Sequence, residues 1–154
     1  MSYATAVPGK SRVSGDLVDS LGQTSFTVIA LLSRIAAEHD MSLTQLRALA
    51  ILRDREPAMA ELAAFLGLER SSVSGLMDRA ARRGLVRRTP GDDDARVTYV
   101  SLTAKGHRLA AEVTTEVADL LAPMTNRLSA AEQKRLTALL FALLDQSDGS
   151  QQPS

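Results

Sequence analysis

A mainly α-helical fold carrying one small two-stranded β hairpin is predicted by three features of this sequence. Apolar residues recur at helical spacing through most of the chain, and the single stretch rich in Val, Tyr and Thr surrounds a turn sequence, PGDDDA at 90–95. Aromatic residues make up only 3% of the 154 residues against 45% hydrophobic overall, so Leu, Ala and Val must build the core, as suits packed helices. No composition shift divides the chain, and its length suits one compact unit.

The elements follow in order. Residues 1–15 and 147–154 are polar and small without periodicity, and are expected to be disordered. From Asp16 to His39, Leu17, Leu21, Val28, Leu31, Leu32 and Ile35 trace one face of a long helix. Ser42 with Gln45 forms a capping box for a second helix, which carries Leu46, Leu49, Ile51 and Leu52 and ends at Glu56-Pro57. A short helix from Ala58 to Leu66 reaches Gly67, and another from about Arg70 to Arg83 stops at Gly84, giving a helix-turn-helix layout. Leu85–Thr89 and Arg96–Leu102 read as antiparallel strands flanking the 90–95 loop. Beyond Thr103 a long helix carries Leu109, Val113, Val117, Leu120, Leu121 and Met124, with Pro123 ending or bending it near its last turn. Ser129 with Glu132 caps a final helix whose stripe is Leu136, Leu139, Leu140, Leu143 and Leu144.

This order describes a winged helix-turn-helix at 43–102, flanked by helical regions at 16–42 and 103–146. The flanking helices have apolar faces longer than the central module can cover, so Leu17, Leu21, Leu136, Leu139, Leu140, Leu143 and Leu144 are expected at a homodimer interface. Packing of the same helices within one chain is the alternative.

The formal net charge is zero, but the charges are segregated. Residues 70–96 carry seven arginines against four aspartates, while the segments on either side are slightly acidic. The planar guanidinium suits phosphates and guanine edges. A solvated arginine face is the alternative reading of these charges taken alone.

Within Met59–Leu76, Ala63 suits a close helix crossing and Gly67 a left-handed turn, and Val73, Leu76, Met77 and Ala80 lie on one face of the following helix. That leaves Ser71, Ser72, Ser74, Gly75, Asp78, Arg79, Arg82 and Arg83 outward, with short polar groups leading and arginines following. Such a helix can enter the major groove of double-stranded DNA by its N-terminal end. Gly75 is notable because glycine inside a helix costs about 1 kcal/mol relative to alanine. Close approach of DNA is one account of it, and a crowded contact with another helix is the other.

The segments LTQLRALAIL (43–52), ELAAFLGLERSSVSGLMDRAARRGLVRR (61–88) and DARVTYVSLTAKG (94–106) together make the chain resemble the MarR-type family of transcription regulators, from about Leu21 to Leu144. The resemblance implies a ligand-responsive repressor that binds a pseudo-palindromic operator. It implies Ser71, Ser72, Ser74 and Gly75 at the base-facing end of the reading helix and Arg79 near phosphates. It also implies Arg96 in the minor groove at the wing tip, steadied by Asp94. Arg70, Arg82 and Arg88 complete the expected DNA-binding set. A small aromatic or anionic effector is implied between the dimer helices and the winged module, and we expect it near Leu32–Leu49. Two departures stand out: Ala95 replaces a common wing arginine, and Ala80-Ala81 replace Leu-Glu.

Other functions find little support. The sequence contains no Cys, which excludes disulfides, thiolate metal sites and cysteine redox sensing. No nucleophile–base or paired-acid arrangement suggests an enzyme. His39 and His107 are far apart in sequence, and we expect no metal site or other cofactor. Asp92-Asp93-Asp94 lacks the glycine and glutamate of a calcium loop and reads as a turn. No run is apolar enough to span a membrane and the N-terminal residues lack a hydrophobic signal core, so a cytoplasmic protein is expected. The alternative function is a winged-helix protein–protein interaction module, which would more plausibly expose an aromatic or leucine patch where this sequence places serines and arginines.

Overall fold

A computed structural model describes residues 15–145. The terminal segments expected to be disordered lie outside these residues, apart from Gly15, which opens the first helix. The elements are α1 (Gly15–Glu38), α2 (Leu43–Asp54), α3 (Met59–Leu66), α4 (Arg70–Arg82), β1 (Val86–Pro90), β2 (Thr98–Leu102), α5 (Ala104–Thr125) and α6 (Ala130–Leu144). The predicted order of helices and strands is the observed one.

Local signals set most boundaries. Ser42 accepts from the Gln45 amide while the Gln45 side chain accepts from the Ser42 amide, and Ser129 and Glu132 repeat this box at α6. Gly67 adopts φ 64° at the end of α3, so that its own N–H and that of Leu68 reach back to the carbonyls of Ala64 and Ala63. A Cβ-bearing residue would be strained there, and this turn sets the angle between α3 and α4.

The core lies in the central module. Leu62 of α3, Val73 and Met77 of α4 and Val100 of β2 are essentially inaccessible, joined by Leu46, Leu49 and Leu52 of α2. Ile35 and Ala36 of α1 and Ala110 and Val113 of α5 close this core from the helical side. Leu32 of α1 packs against it while most of the rest of α1 is exposed, and α6 buries none of its residues.

The strands are shorter or shifted relative to expectation. β1 pairs antiparallel with β2 from Val86 opposite Leu102 to Pro90 opposite Thr98. Leu85 is buried ahead of β1, and Arg96 and Val97 belong to the loop, because Gly91 N–H donates to the Val97 carbonyl and Val97 N–H to that of Asp94. These two bonds fold 91–97 back on itself before pairing begins. Pro57, expected only as a separator, extends the sheet: its carbonyl accepts from the Val100 amide, and Ala58 bridges Tyr99. Pro123 does not end α5, which continues to Thr125. A proline this close to a C-terminus removes a single hydrogen-bond donor from the ladder.

Gly106 in the first turn of α5 is buried against the hinge that follows α4. A Cβ there would lie 2.1 Å from the Leu85 carbonyl oxygen. The same junction is tied by Thr103, whose hydroxyl donates to the Gly84 carbonyl at 2.6 Å, and by Lys105, whose ammonium donates to that of Arg83.

Candidate nucleic-acid interface

Burial of Val73, Leu76 and Met77, with Ala80 partly covered, fixes the rotation of α4. The opposite face carries Arg70, Ser71, Ser72, Ser74, Asp78, Arg79 and Arg82, all exposed, around a half-buried Gly75. Arg70, Arg79 and Arg82 make no side-chain hydrogen bond or ion pair among the described residues, so their charge is available to a ligand. Glu69 caps α4 without a side-chain bond to the first amides, and these donors also remain unsatisfied by the protein.

Gly75 is not crowded. A Cβ at this position would meet only the Arg79 Nη1 atom, at 3.6 Å, an ordinary contact with a flexible side-chain end. Packing within the chain therefore gives no reason for glycine here.

The remaining arginines divide by environment. Arg88 reaches from β1 to α4, donating to Asp78 Oδ1 at 2.6 Å and to the Ser74 carbonyl at 3.1 Å. It thus clamps the hairpin to the helix at the surface. Arg83, which the helical pattern placed outward, turns to the α1–α2 connection and donates to the carbonyls of His39 and Asp40. Arg87 is exposed on the opposite strand face from Arg88 and does not join the α4 surface. Arg96 stands at the hairpin tip with its side chain 91% exposed. Asp94 accepts from its backbone N–H, Nε and Nη2 at 3.0–3.2 Å, and these bonds hold the Asp94 carboxyl below its ordinary range. The structure therefore brings the serines, Gly75, Arg70, Arg79 and Arg82 to one face, places Arg96 on the projecting hairpin and ties the exposed Arg88 to Asp78 and the Ser74 carbonyl.

Behind this surface, α1, α2 and α5 enclose an apolar cleft of about 400 Å3 lined by Ile29, Leu32, Leu43, Leu46, Val113 and Val117 among others. Its polar rim includes Arg47 and Arg53. Arg53 bonds Thr114 and forms a paired contact with Asp54, whose carboxyl is held below its usual range by that guanidinium. The sequence reading expected an effector near 32–49, and this cleft includes part of that segment; its α5 wall comes from residues so distant in sequence that they meet it only through packing.

Comparison with known proteins agrees with this architecture. Residues 39–97 match a family model described as "MarR family". The chain is 31% identical over 108 residues to the Escherichia coli homoprotocatechuate degradative operon repressor, covering 69% of this chain and 72% of that protein. It is 30% identical over 93 residues to the transcriptional repressor MprA of Escherichia coli K12, covering 60% of this chain but only 53%, about half, of MprA. A variant of Escherichia coli MarR complexed with operator DNA superposes with a TM-score of 0.67 at 25% identity, covering 85% of this chain and 95% of that one. NadR in complex with 4-hydroxyphenylacetate shares the fold, with a TM-score of 0.75 at 23% identity over 92% of this chain and 100% of that one. On the family model, the repressor it resembles over most of its length and the helix–hairpin architecture, the chain belongs to the MarR family.

Proposed function

We propose that the protein is a sequence-specific DNA-binding transcription regulator, acting as a homodimeric repressor in the cytoplasm. The observation that carries this reading is the exposed face of α4, where Ser71, Ser72, Ser74 and an uncrowded Gly75 lead and unpaired Arg70, Arg79 and Arg82 surround them. Hydroxyls with no side chain beside them at Gly75 suit base edges, and the arginines suit phosphates on either side. Arg96 on the hairpin reaches the adjacent minor groove, oriented by Asp94. Arg88, expected among the DNA-binding residues, holds hairpin to helix beside this face. The complex of the related Escherichia coli MarR variant with operator DNA supports a DNA-binding role.

The dimer rests on α1 and α6. Leu17, Leu21, Leu136, Leu139, Leu140, Leu143 and Leu144 are all exposed in the single chain, and a helix that buries nothing gains its stability from a partner. Two-fold symmetry then calls for a pseudo-palindromic operator with half-site centres roughly 10 base pairs apart. The cleft between α1, α2 and α5 takes a small effector with an aromatic body and an anionic end, matched to its apolar walls and to Arg47 and Arg53 at the rim. NadR, of the same fold, is known bound to 4-hydroxyphenylacetate, a ligand of that type. This is a binding function and includes no catalysis.

Footprinting on the DNA upstream of the protein's own gene tests the reading. Two protected half-sites are expected, and inserting about 5 base pairs between them should place them on opposite faces of the duplex and abolish tight binding. Undiminished binding after that insertion would overturn the symmetric-dimer model.

A further inference from the structure

His39, at the end of α1, lies with its Nε2 atom 2.9 Å from Glu116 Oε2 of α5. Glu112 stands one helical turn earlier on the same face of α5, and one ligand atom from each of the three residues lies within 4.8 Å of the others. The His39–Glu116 hydrogen bond accounts for Glu116 but not for Glu112, which has no hydrogen bond or ion pair among the described residues. Like charges four residues apart on a helix repel. A cation between them would remove that repulsion and use all three side chains.

We propose that His39, Glu112 and Glu116 form a binding site for a divalent first-row transition metal ion, of which Zn2+ is the test case. One imidazole and two carboxylates are a borderline-hard donor set that suits such ions, and ligand bonds of about 2.0–2.2 Å require only small side-chain rotations from the observed spacing. Three protein ligands leave a coordination position for water. The donors come from the turn after α1 and from α5, so the ion pins that turn to α5.

The site is wired to the reading helix through the backbone. Arg83, the C-cap of α4, donates from Nη2 to the His39 carbonyl at 2.9 Å and from Nη1 to that of Asp40 at 3.3 Å. Asp40 holds φ 54°, so the turn is a tight one with little slack. Drawing the His39 ring onto a metal fixes the turn that grips the end of α4, and metal occupancy thereby changes DNA affinity. This coupling rests on the DNA-binding reading above, whereas the metal site does not.

The test is a titration of the full chain with Co2+, followed by its visible absorption bands, and then with Zn2+ by calorimetry, both without DNA. One ion per chain is expected. His39→Gln and Glu112→Gln, each checked for folding by circular dichroism, should weaken binding at least about tenfold, since even outer-shell changes cost that much. His107→Gln, altering the exposed histidine elsewhere on α5, should bind as wild type. Absence of binding at micromolar ion, or binding retained by the His39 and Glu112 variants, overturns the site. Operator affinity measured with and without Zn2+ then tests the coupling, which equal affinities would overturn.

Discussion

Arg88 of β1 and Asp78 of α4 meet at 2.6 Å, and the same guanidinium reaches the Ser74 carbonyl on the exposed face of α4. The hairpin and the helix are thus joined at the surface as well as through the core. Both side chains are partly exposed, so the pair contributes at most about 1 kcal/mol to stability. A double-mutant cycle with Arg88→Ala and Asp78→Ala in urea denaturation should return a coupling in that range. Operator affinity should fall more than stability does, because the relative placement of helix and hairpin is what the pair controls.

Gly75→Ala should separate folding from binding. The added methyl group meets only a movable Arg79 atom, and alanine is the better helix former, so the variant should be more stable by about 1 kcal/mol. Operator binding should nevertheless weaken, since the methyl projects from the face assigned to base edges. Thermal denaturation beside a binding titration checks both halves.

Gly106→Ala should behave in the opposite way. Its Cβ falls 2.1 Å from the Leu85 carbonyl oxygen, where only backbone movement makes room, and a loss of about 3 kcal/mol is expected. The change would appear as a lower urea midpoint with unchanged slope.

Asp94 should stay ionised at pH values where an ordinary aspartate is protonated, because its carboxyl is held down by the side-chain and backbone bonds from Arg96. A depressed carboxyl stabilises the fold above the unfolded-state value, near 3.9, and loses that effect as pH falls through its own lower value. The hairpin geometry should therefore persist below the ordinary aspartate range near 3.9, until the carboxyl protonates at its own lower value. An NMR titration of the Asp94 carboxyl carbon reads this directly, and a midpoint at or above the free value would show the contact to be absent in solution.

Leu140→Glu should release monomers. The residue is exposed on a helix without buried positions, so a charge there damages no intramolecular core. Light scattering should give twice the chain mass for the wild type and about one chain for the variant, because a seam does not tolerate an unpaired buried charge.

Much of this architecture was legible in the sequence because its signals are local. Capping boxes at Ser42 and Ser129, the left-handed Gly67 and the spacing of Val73, Leu76 and Met77 each act within a few residues. What escaped depends on contacts between distant segments. The helical pattern could place Arg83 outward but could not show the carbonyls of His39 and Asp40, 44 and 43 residues earlier, waiting for it. The contact between Arg88 and Asp78 became visible only once β1 folded beside α4. His39 and Glu116, separated by 77 positions, illustrate the same limit. The strand edges were blurred because backbone bonds inside the 91–97 loop, which no side-chain pattern records, decide where pairing begins.

The central claim, that the exposed face of α4 reads DNA, is tested most directly by equilibrium binding of wild type, Ser72→Ala and Arg96→Ala to operator and random DNA across a salt series. Wild type should prefer the operator and lose affinity steeply with salt. Ser72→Ala should keep that salt slope while losing preference for the operator, at the low end of the ~1–3 kcal/mol of a base contact. Arg96→Ala should weaken binding to both DNAs and lower the slope by about one unit if a phosphate contact is lost. If both folded variants matched wild type on both DNAs at every salt concentration, the face would not be a DNA-reading surface.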